Sequence, residues 1–316
     1  MIAAASILCP IDFSESSRSA LRHAAAIASR FSARLTLLAV HDPLLAEAAE
    51  LQLGPEQLTT ETIKELETFY RHSVDPRPEG VDVRLECAVG KPAPEVLRVA
   101  REHACDLIVM ASGGATGFRK LFFGSTTERV LRETTVPVLV TYGTEAARPA
   151  AAELGRQVRR ILVPVDLTDA SEHQVLAARS VAEALHVPLL LLHVVEPVRM
   201  MLAAQPRHPK VDAERRYRAE RQLEAAVAKL PAALKAETLV AFGEPAEEIA
   251  KVASDRDAGL IVMGLHSSPM MGPRMGSVTY RVLCLAHRLV LALPPQPVPS
   301  TRGAQDGAAR EPARTS

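Results

Sequence analysis

Short apolar runs alternate along this chain with longer stretches whose apolar positions recur every three to four residues. In the first half, residues 6–11, 35–40, 81–87, 107–110 and 136–141 read as strands. Between them, residues 14–31, 54–72, 92–104 and 125–132 read as helices. In the first of these helices Leu21, Ala24, Ala25 and Ala28 share one face, and Ser14 is placed to cap its start. The second and third open with a proline, which suits a first helical turn. The order is β-α-β-α-β-α-β-α-β. Continuously apolar strands separated by helices require a parallel sheet covered on both faces. Right-handed crossovers then make a doubly wound α/β unit.

The pattern runs twice. Ile7-Leu8-Cys9-Pro10-Ile11-Asp12 returns as Ile161-Leu162-Val163-Pro164-Val165-Asp166, 154 residues later. Asp42-Pro43 corresponds to Glu196-Pro197 at the same offset. Gly90-Lys91-Pro92-Ala93 matches Gly243-Glu244-Pro245-Ala246, and Leu107-Ile108-Val109-Met110 matches Leu260-Ile261-Val262-Met263, both at 153. Gly124-Ser125 matches Gly276-Ser277 at 152. Five collinear matches with single-residue drift indicate a tandem duplication. The expected organisation is domain 1 over residues 1–142, a linker over 143–157, domain 2 over 158–293 and a disordered tail over 294–316. The tail has almost no large apolar residue with which to order itself.

Composition narrows the class. The chain has 316 residues with 37 Lys plus Arg and 37 Asp plus Glu, a net charge of zero. A dedicated nucleic-acid binder normally carries a basic excess, so no nucleic-acid partner is expected. Hydrophobic residues make up 47%, enough for packed cores, but aromatics only 3%. The cores must therefore be aliphatic. The longest uncharged run, residues 258–273, is 16 residues and is broken by Gly, Ser and Pro. A membrane span needs about 20 apolar residues, so no membrane partner is expected. Asp12 arrives too early for a signal peptide. Cys9, Cys87, Cys105 and Cys284 form no CxxC pair. Reduced thiols and a cytoplasmic location are the expectation.

The chemically informative stretch follows the fourth strand. Ser112, Gly113, Gly114 and Gly117 lead toward Gly124-Ser125-Thr126-Thr127 at the start of a helix. Glycines let the backbone approach a ligand closely. A helix N-terminus offers unpaired N–H groups and a partial positive charge, which together suit an anion such as phosphate. In an open α/β sheet, ligands bind beyond the carboxyl ends of the strands where the strand order reverses. With order 3-2-1-4-5, the ends of the first and fourth strands, Asp12 and Ala111, meet at that point.

On these residues the chain resembles the universal stress protein family, as a tandem member with two family domains over residues 1–142 and 158–293. The family's nucleotide-binding members carry Gly-x2-Gly-x9-Gly followed by Ser or Thr. The first copy reads Ala111-x2-Gly114-x9-Gly124-Ser125, with Ala in place of the first Gly. The resemblance implies two tandem five-stranded domains of Rossmann-like, HUP-type fold, and ATP as ligand, with or without Mg2+. Pro10, Ile11, Asp12 and Val40 would lie toward the adenosine. Met110, Ala111, Gly114, Gly124, Ser125 and Thr126 would surround the ribose and phosphates. Two roles for Asp12 stay open, contact with the adenine end and support of a metal. The resemblance also implies that the last strands of the copies pair as an intrachain pseudo-dimer; a homodimer is a further arrangement.

The second copy reads Gly264-x2-Ser267-x8-Gly276-Ser277, one residue short. Pro269 and Pro273 remove two N–H donors from its loop. A one-residue deletion moves the helix start by up to about 3.3–3.6 Å. The second copy is therefore expected to bind ATP weakly or not at all.

Elsewhere the chain offers no catalytic constellation. It has no GxxxxGK[ST], no GxSxG and no HxxxH spacing, so neither catalytic residues nor a metal site is expected. Arg119 and Lys120 read as solvated charges, His41 as a polar loop residue and His193 as a hydrogen-bonded core histidine. Glu214-Arg215-Arg216 and its neighbours read as a solvated helix face. The expectation is an ATP-binding regulatory or stress-response protein with little or no hydrolysis, not an enzyme. A nucleotide-independent protein-interaction scaffold is the alternative.

Overall fold

Helix and strand patterning translate into one continuous sheet. A computed structural model describes residues 4–53, 55–113, 124–142, 157–168, 170–196, 209–265 and 275–295. The first half supplies β1 (Ser6–Ile11), β2 (Arg34–His41), β3 (Val83–Val89), β4 (Leu107–Ala111) and β5 (Val138–Thr141). The second supplies β6 (Ile161–Pro164), β7 (Leu189–Val195), β8 (Glu237–Phe242), β9 (Leu260–Gly264) and β10 (Leu289–Leu293). Helices among the described residues are α1 (Glu15–Phe31), α2 (Pro43–Leu53), α3 (Pro55–Ser73), α4 (Pro92–Glu102) and α5 (Ser125–Glu133) in the first half. In the second half they are α6 (Ala170–Leu185), α7 (Pro209–Ala228), α8 (Pro245–Asp255) and α9 (Ser277–Leu285).

The strand order is β3-β2-β1-β4-β5-β10-β9-β6-β7-β8. Each half thus has the expected 3-2-1-4-5 order, parallel throughout. The halves join where β5 and β10 run antiparallel, pairing Val140 with Val290, Leu139 with Leu291 and Val138 with Ala292. Alternate strand residues feed two cores, one on each face of the sheet. One core takes Ile7, Leu35 and Leu37 with α1, α3, α6 and α7; the other takes Leu8, Leu38 and Ile108 with α4, α5, α8 and α9. Both cores cross the junction, so the halves share buried apolar surface as well as backbone hydrogen bonds.

Local signals hold where they have a physical cause. Ser14 caps α1 by accepting from the Ser17 amide, and Leu21, Ala24, Ala25 and Ala28 are buried. One helix is new and several boundaries shift, β5 for example beginning at Val138 and not at 136. α2 is a helix the pattern does not show, because it has almost no apolar face: Ala46 is buried while Leu44, Leu45 and Leu51 are 75%, 70% and 85% exposed. Its residues are good helix formers, and propensity rather than amphipathicity makes the turn structure. β3 is displaced by two residues, running Val83–Val89 instead of 81–87, because Ala88 and Val89 still pair with Val40 and His41 of β2. α4 stops at Glu102, and Ala104 takes a left-handed φ of 45° that ends the helix. The expected tail, and all but Gln157 of the linker, lie outside the described residues, Pro294 and Pro295 excepted.

Leu291 sits at the centre of the junction, 5% exposed. Leu291→Ala is expected to cost roughly 2–5 kcal/mol of stability, as buried leucine truncations do. Chemical denaturation of the intact chain measures it.

Candidate functional site

The first-half crevice opens where β1 and β4 part. They share only two register pairs, Ile7 with Leu107 and Leu8 with Ile108. Beyond that point Pro10, Ile11 and Asp12 end one strand, and Met110 and Ala111 the other. Ile11 and Met110 are buried, whereas Pro10, Val40 and Ala111 are half-buried at the rim and Asp12 is exposed. Asp12 Oδ1 accepts from the Ser14 amide at 3.1 Å and from the Ser14 hydroxyl at 2.5 Å, an Asx turn that fixes the carboxylate at the start of α1.

α5 begins at the same edge. Gly124 is its N-cap with φ −61° and makes no side-chain cap hydrogen bond, so the first-turn amides of Ser125 and Thr126 have no capping oxygen from that residue. Two bonds tie the helix start to the end of β4: the Gly124 amide donates to Ser112 O at 2.8 Å, and the Thr127 hydroxyl donates to Ala111 O at 2.8 Å. The structure therefore places nine of the ten expected site residues around one sheet edge. Gly114, with Arg119 and Lys120, lies outside the described residues.

The second half repeats this frame around an open cavity of about 610 Å3. Pro164, Val165, Asp166 and Val194 line it, as do Met263, Gly264, Gly276, Ser277 and Val278. Each is the repeat counterpart of an expected first-half site residue. β6 and β9 also share only two register pairs before they part. Here the gap is bridged: Gln174, buried on α6, donates to Pro164 O and to Val262 O (2.9 Å) and accepts from the Gly264 amide at 3.2 Å. Asp166 Oδ1 accepts from the Ser171 hydroxyl at 2.6 Å and from the Thr168 hydroxyl and amide. Burial pushes this carboxyl up, but those hydrogen bonds outweigh it and hold its pKa below the usual carboxylate value. Like its partner in the first half, α9 is capped by a glycine without a side-chain bond.

Three residues differ from their expected roles. His193 is half-buried and lines the cavity, with Nδ1 2.9 Å from Val165 O, because the end of β7 borders open space rather than core. His41 ends β2 and bonds Thr62 Oγ1 at 2.7 Å, so it is held by α3 rather than free in a loop. Arg215 also lines the cavity and donates to Glu196 O at 2.8 Å, because α7 packs its start against the end of β7. Gln174 went unread in the sequence. Aligning the two copies shows it, since position 174 corresponds to Ala20. Among the described residues no group of three or more His, Cys, Asp or Glu converges to hold a metal.

Because the folded-state pKa of Asp166 is lowered, its stabilising contribution is present above the unfolded value near pH 4 and is lost as pH falls through the folded value. The stability difference between the wild type and Asp166→Asn is expected to be constant from pH 5 to 7 and to shrink below about pH 4. Urea melts at each pH test it.

Comparisons with known proteins agree with this duplicated frame. The model of the universal stress protein family matches residues 5–141 and again 157–294. Universal stress protein MJ0531 of Methanocaldococcus jannaschii is 36% identical over 138 residues, covering 42% of this chain and 79% of that protein. Universal stress protein MJ0577 of the same organism is 31% identical over 152 residues, covering 42% and 92%. The solved structure of a universal stress protein from Archaeoglobus fulgidus superposes with a TM-score of 0.65 at 19% identity, covering 92% of this chain and 98% of that one, and so shares the two-unit fold. The chain belongs to the universal stress protein family, with two family domains in tandem.

Proposed function

We propose that the chain is an ATP-binding regulatory protein of the stress response, with the nucleotide held in the first half. The observation that carries this reading is the start of α5. An N-terminus without a side-chain cap is hydrogen-bonded onto the end of β4, at the point where β1 and β4 part. Backbone amides of Ser125 and Thr126 would hold phosphate oxygens, and a net basic charge is not needed for that. The aliphatic rim of Pro10, Ile11, Val40 and Met110 would take the adenosine. Asp12, fixed by Ser14, would accept from a hydroxyl or stand near a phosphate-bound Mg2+. With no converging metal ligands among the described residues, that ion would arrive with the triphosphate. His41 is engaged with Thr62 and the Asp12 carboxylate with Ser14, which does not favour either as a general base. Turnover would then be slow or absent, and nucleotide occupancy would act by ordering the α5 edge. No helix among the described residues is long and apolar enough to cross a membrane, and the described cysteines are free thiols, which supports a cytoplasmic setting.

A second reading has an observation of its own. Leu44, Leu45 and Leu51 stand exposed on α2. Exposed leucines on one helix favour a nucleotide-independent scaffold that docks a protein partner.

Mass spectrometry of ligand carried through purification separates the two. The wild type is expected to retain ATP, and Gly124→Val is expected to lower affinity by about tenfold or more by crowding the phosphate approach. Protein free of nucleotide, with no ATP binding in calorimetry, overturns the first reading. Robust ATP hydrolysis that disappears in Gly124→Val overturns its binding-only character.

A further inference from the structure

β3 and β8 close the two ends of the sheet, and among the described residues each pairs with one neighbour only. The open edge of such a strand is a template for another strand. Which groups β3 presents there follows from its ladder with β2. The Leu35 amide donates to Asp82 O, and the Gly90 amide donates to His41 O. Bonding residues alternate along a parallel ladder, so the even-numbered residues of β3 bond to β2. Val83, Leu85, Cys87 and Val89 therefore turn their N–H and C=O groups outward.

A second β3 laid antiparallel along this edge must bond through the same outward residues, so its register moves in steps of two. With Leu85 opposite Leu85, Val83 bonds Cys87 and Arg84 lies directly opposite Glu86. Two-fold symmetry makes that opposite-charge pair twice. It falls at the unbonded positions, where side chains come closest. One step toward the strand start sets Arg84 against Arg84 and Asp82 against Glu86. One step the other way sets Glu86 against Glu86. Like charges directly opposite are destabilising. Two steps toward the start bring Arg84 to Asp82, but Asp82 precedes the strand and already bonds Arg34 at 2.9 Å. The charges thus select the register centred on Leu85.

The side chains are placed for it. Glu86 is 19% exposed, with Oε2 2.8 Å from His103 Nε2 and 3.8 Å from Arg84 Nε of its own strand. Arg84 is 54% exposed, so the longer guanidinium of a facing copy can reach a carboxylate that is held in place. On the other sheet face Val83, Leu85 and Cys87 are half-buried, and pairing would cover what they still expose. β8 has no such code. Its single charge, Glu237, stands at its first residue and pairs with Arg160 at 3.2 Å. Nothing along the middle of β8 selects one register.

We propose that the β3 edge is an interface for a second copy of this chain. Two β3 strands pair antiparallel about a two-fold axis at Leu85, and reciprocal Arg84–Glu86 pairs fix their register. Two ten-stranded sheets then become one continuous sheet. A single-strand contact is small, so the dimer is weak and responds to concentration. The pairing requires no nucleotide, and its failure leaves the function proposed above as it stands.

The test is sedimentation velocity on the full chain without added nucleotide. The wild type is expected to dimerise with a dissociation constant on the order of tens of micromolar. Arg84→Glu alone and Glu86→Arg alone each set like charges opposite one another, and each is expected to weaken the dimer about tenfold or more. An equal mixture of the two variants sets opposite charges against one another at both positions. It is expected to form a heterodimer within about threefold of the wild-type affinity. Hydrogen exchange on the wild type supplies a readout that needs no variant: the Leu85 and Cys87 amides are expected to slow as protein concentration rises. Four results overturn the proposal. They are a wild type that stays monomeric at about millimolar concentration, a dimer indifferent to both charge reversals, a mixture that associates no better than its components, and Leu85 and Cys87 exchange independent of concentration.

Discussion

Antiparallel pairing of β5 with β10 is the constraint on which the rest of the molecule depends. Each half, taken alone, ends in an apolar strand with an open backbone edge, and such an edge seeks a partner. Here the partner is the other half of the same chain. Val138, Leu139 and Val140 meet Ala292, Leu291 and Val290, all buried. Because covalent linkage makes this pairing intramolecular, the effective concentration of the partner edge is high. The pairing also sets the placement of the sites. Strands are parallel within a half and antiparallel across the junction, so the carboxyl ends of the two halves point in opposite directions. The two crevices therefore open at opposite edges of the sheet and share no residue.

Within each half the crevice arises from how the chain leaves the sheet. β1 diverges from β4, and β6 from β9, after two register pairs. A helix then begins at a glycine tied to the end of the neighbouring strand, by the amides of Gly124 and Gly276 and by the hydroxyls of Thr127 and Thr279. The hydroxyl bonds, both 2.8 Å, fall on equivalent residues of the two copies and hold the helix starts in the same orientation. Duplication preserved this frame while the side chains on it diverged. Ala20 became Gln174 and Ala39 became His193, or the reverse, and the gap between strands that is open to small residues in one copy is braced in the other.

Much of this was legible in the residues. Continuous apolar strands dictated a parallel sheet, because only a strand buried on both faces can be apolar at every position. The tandem repeat announced two units, and Asp12, Ala111 and Gly124 lay together once the strand order was known. α2 was not legible, because a helix that exposes Leu44, Leu45 and Leu51 has no apolar stripe to show. His193 and Arg215 were misread for a related reason. Hydropathy marks which residues leave water, but not whether the space beside them is core or cavity.

The sequence by itself determined the fold class, the duplication and the residues that end the strands, since these follow from local patterning and covalent order. The family resemblance implied that the last strands pair, and the structure realises this as one ten-stranded sheet through β5 and β10; tertiary structure alone decided that the second half keeps a cavity. It also decided that Gln174 braces that cavity while His193 lines it. The physical reason is distance along the chain. Gln174 and Gly264 are 90 residues apart, and no local period carries a contact between them.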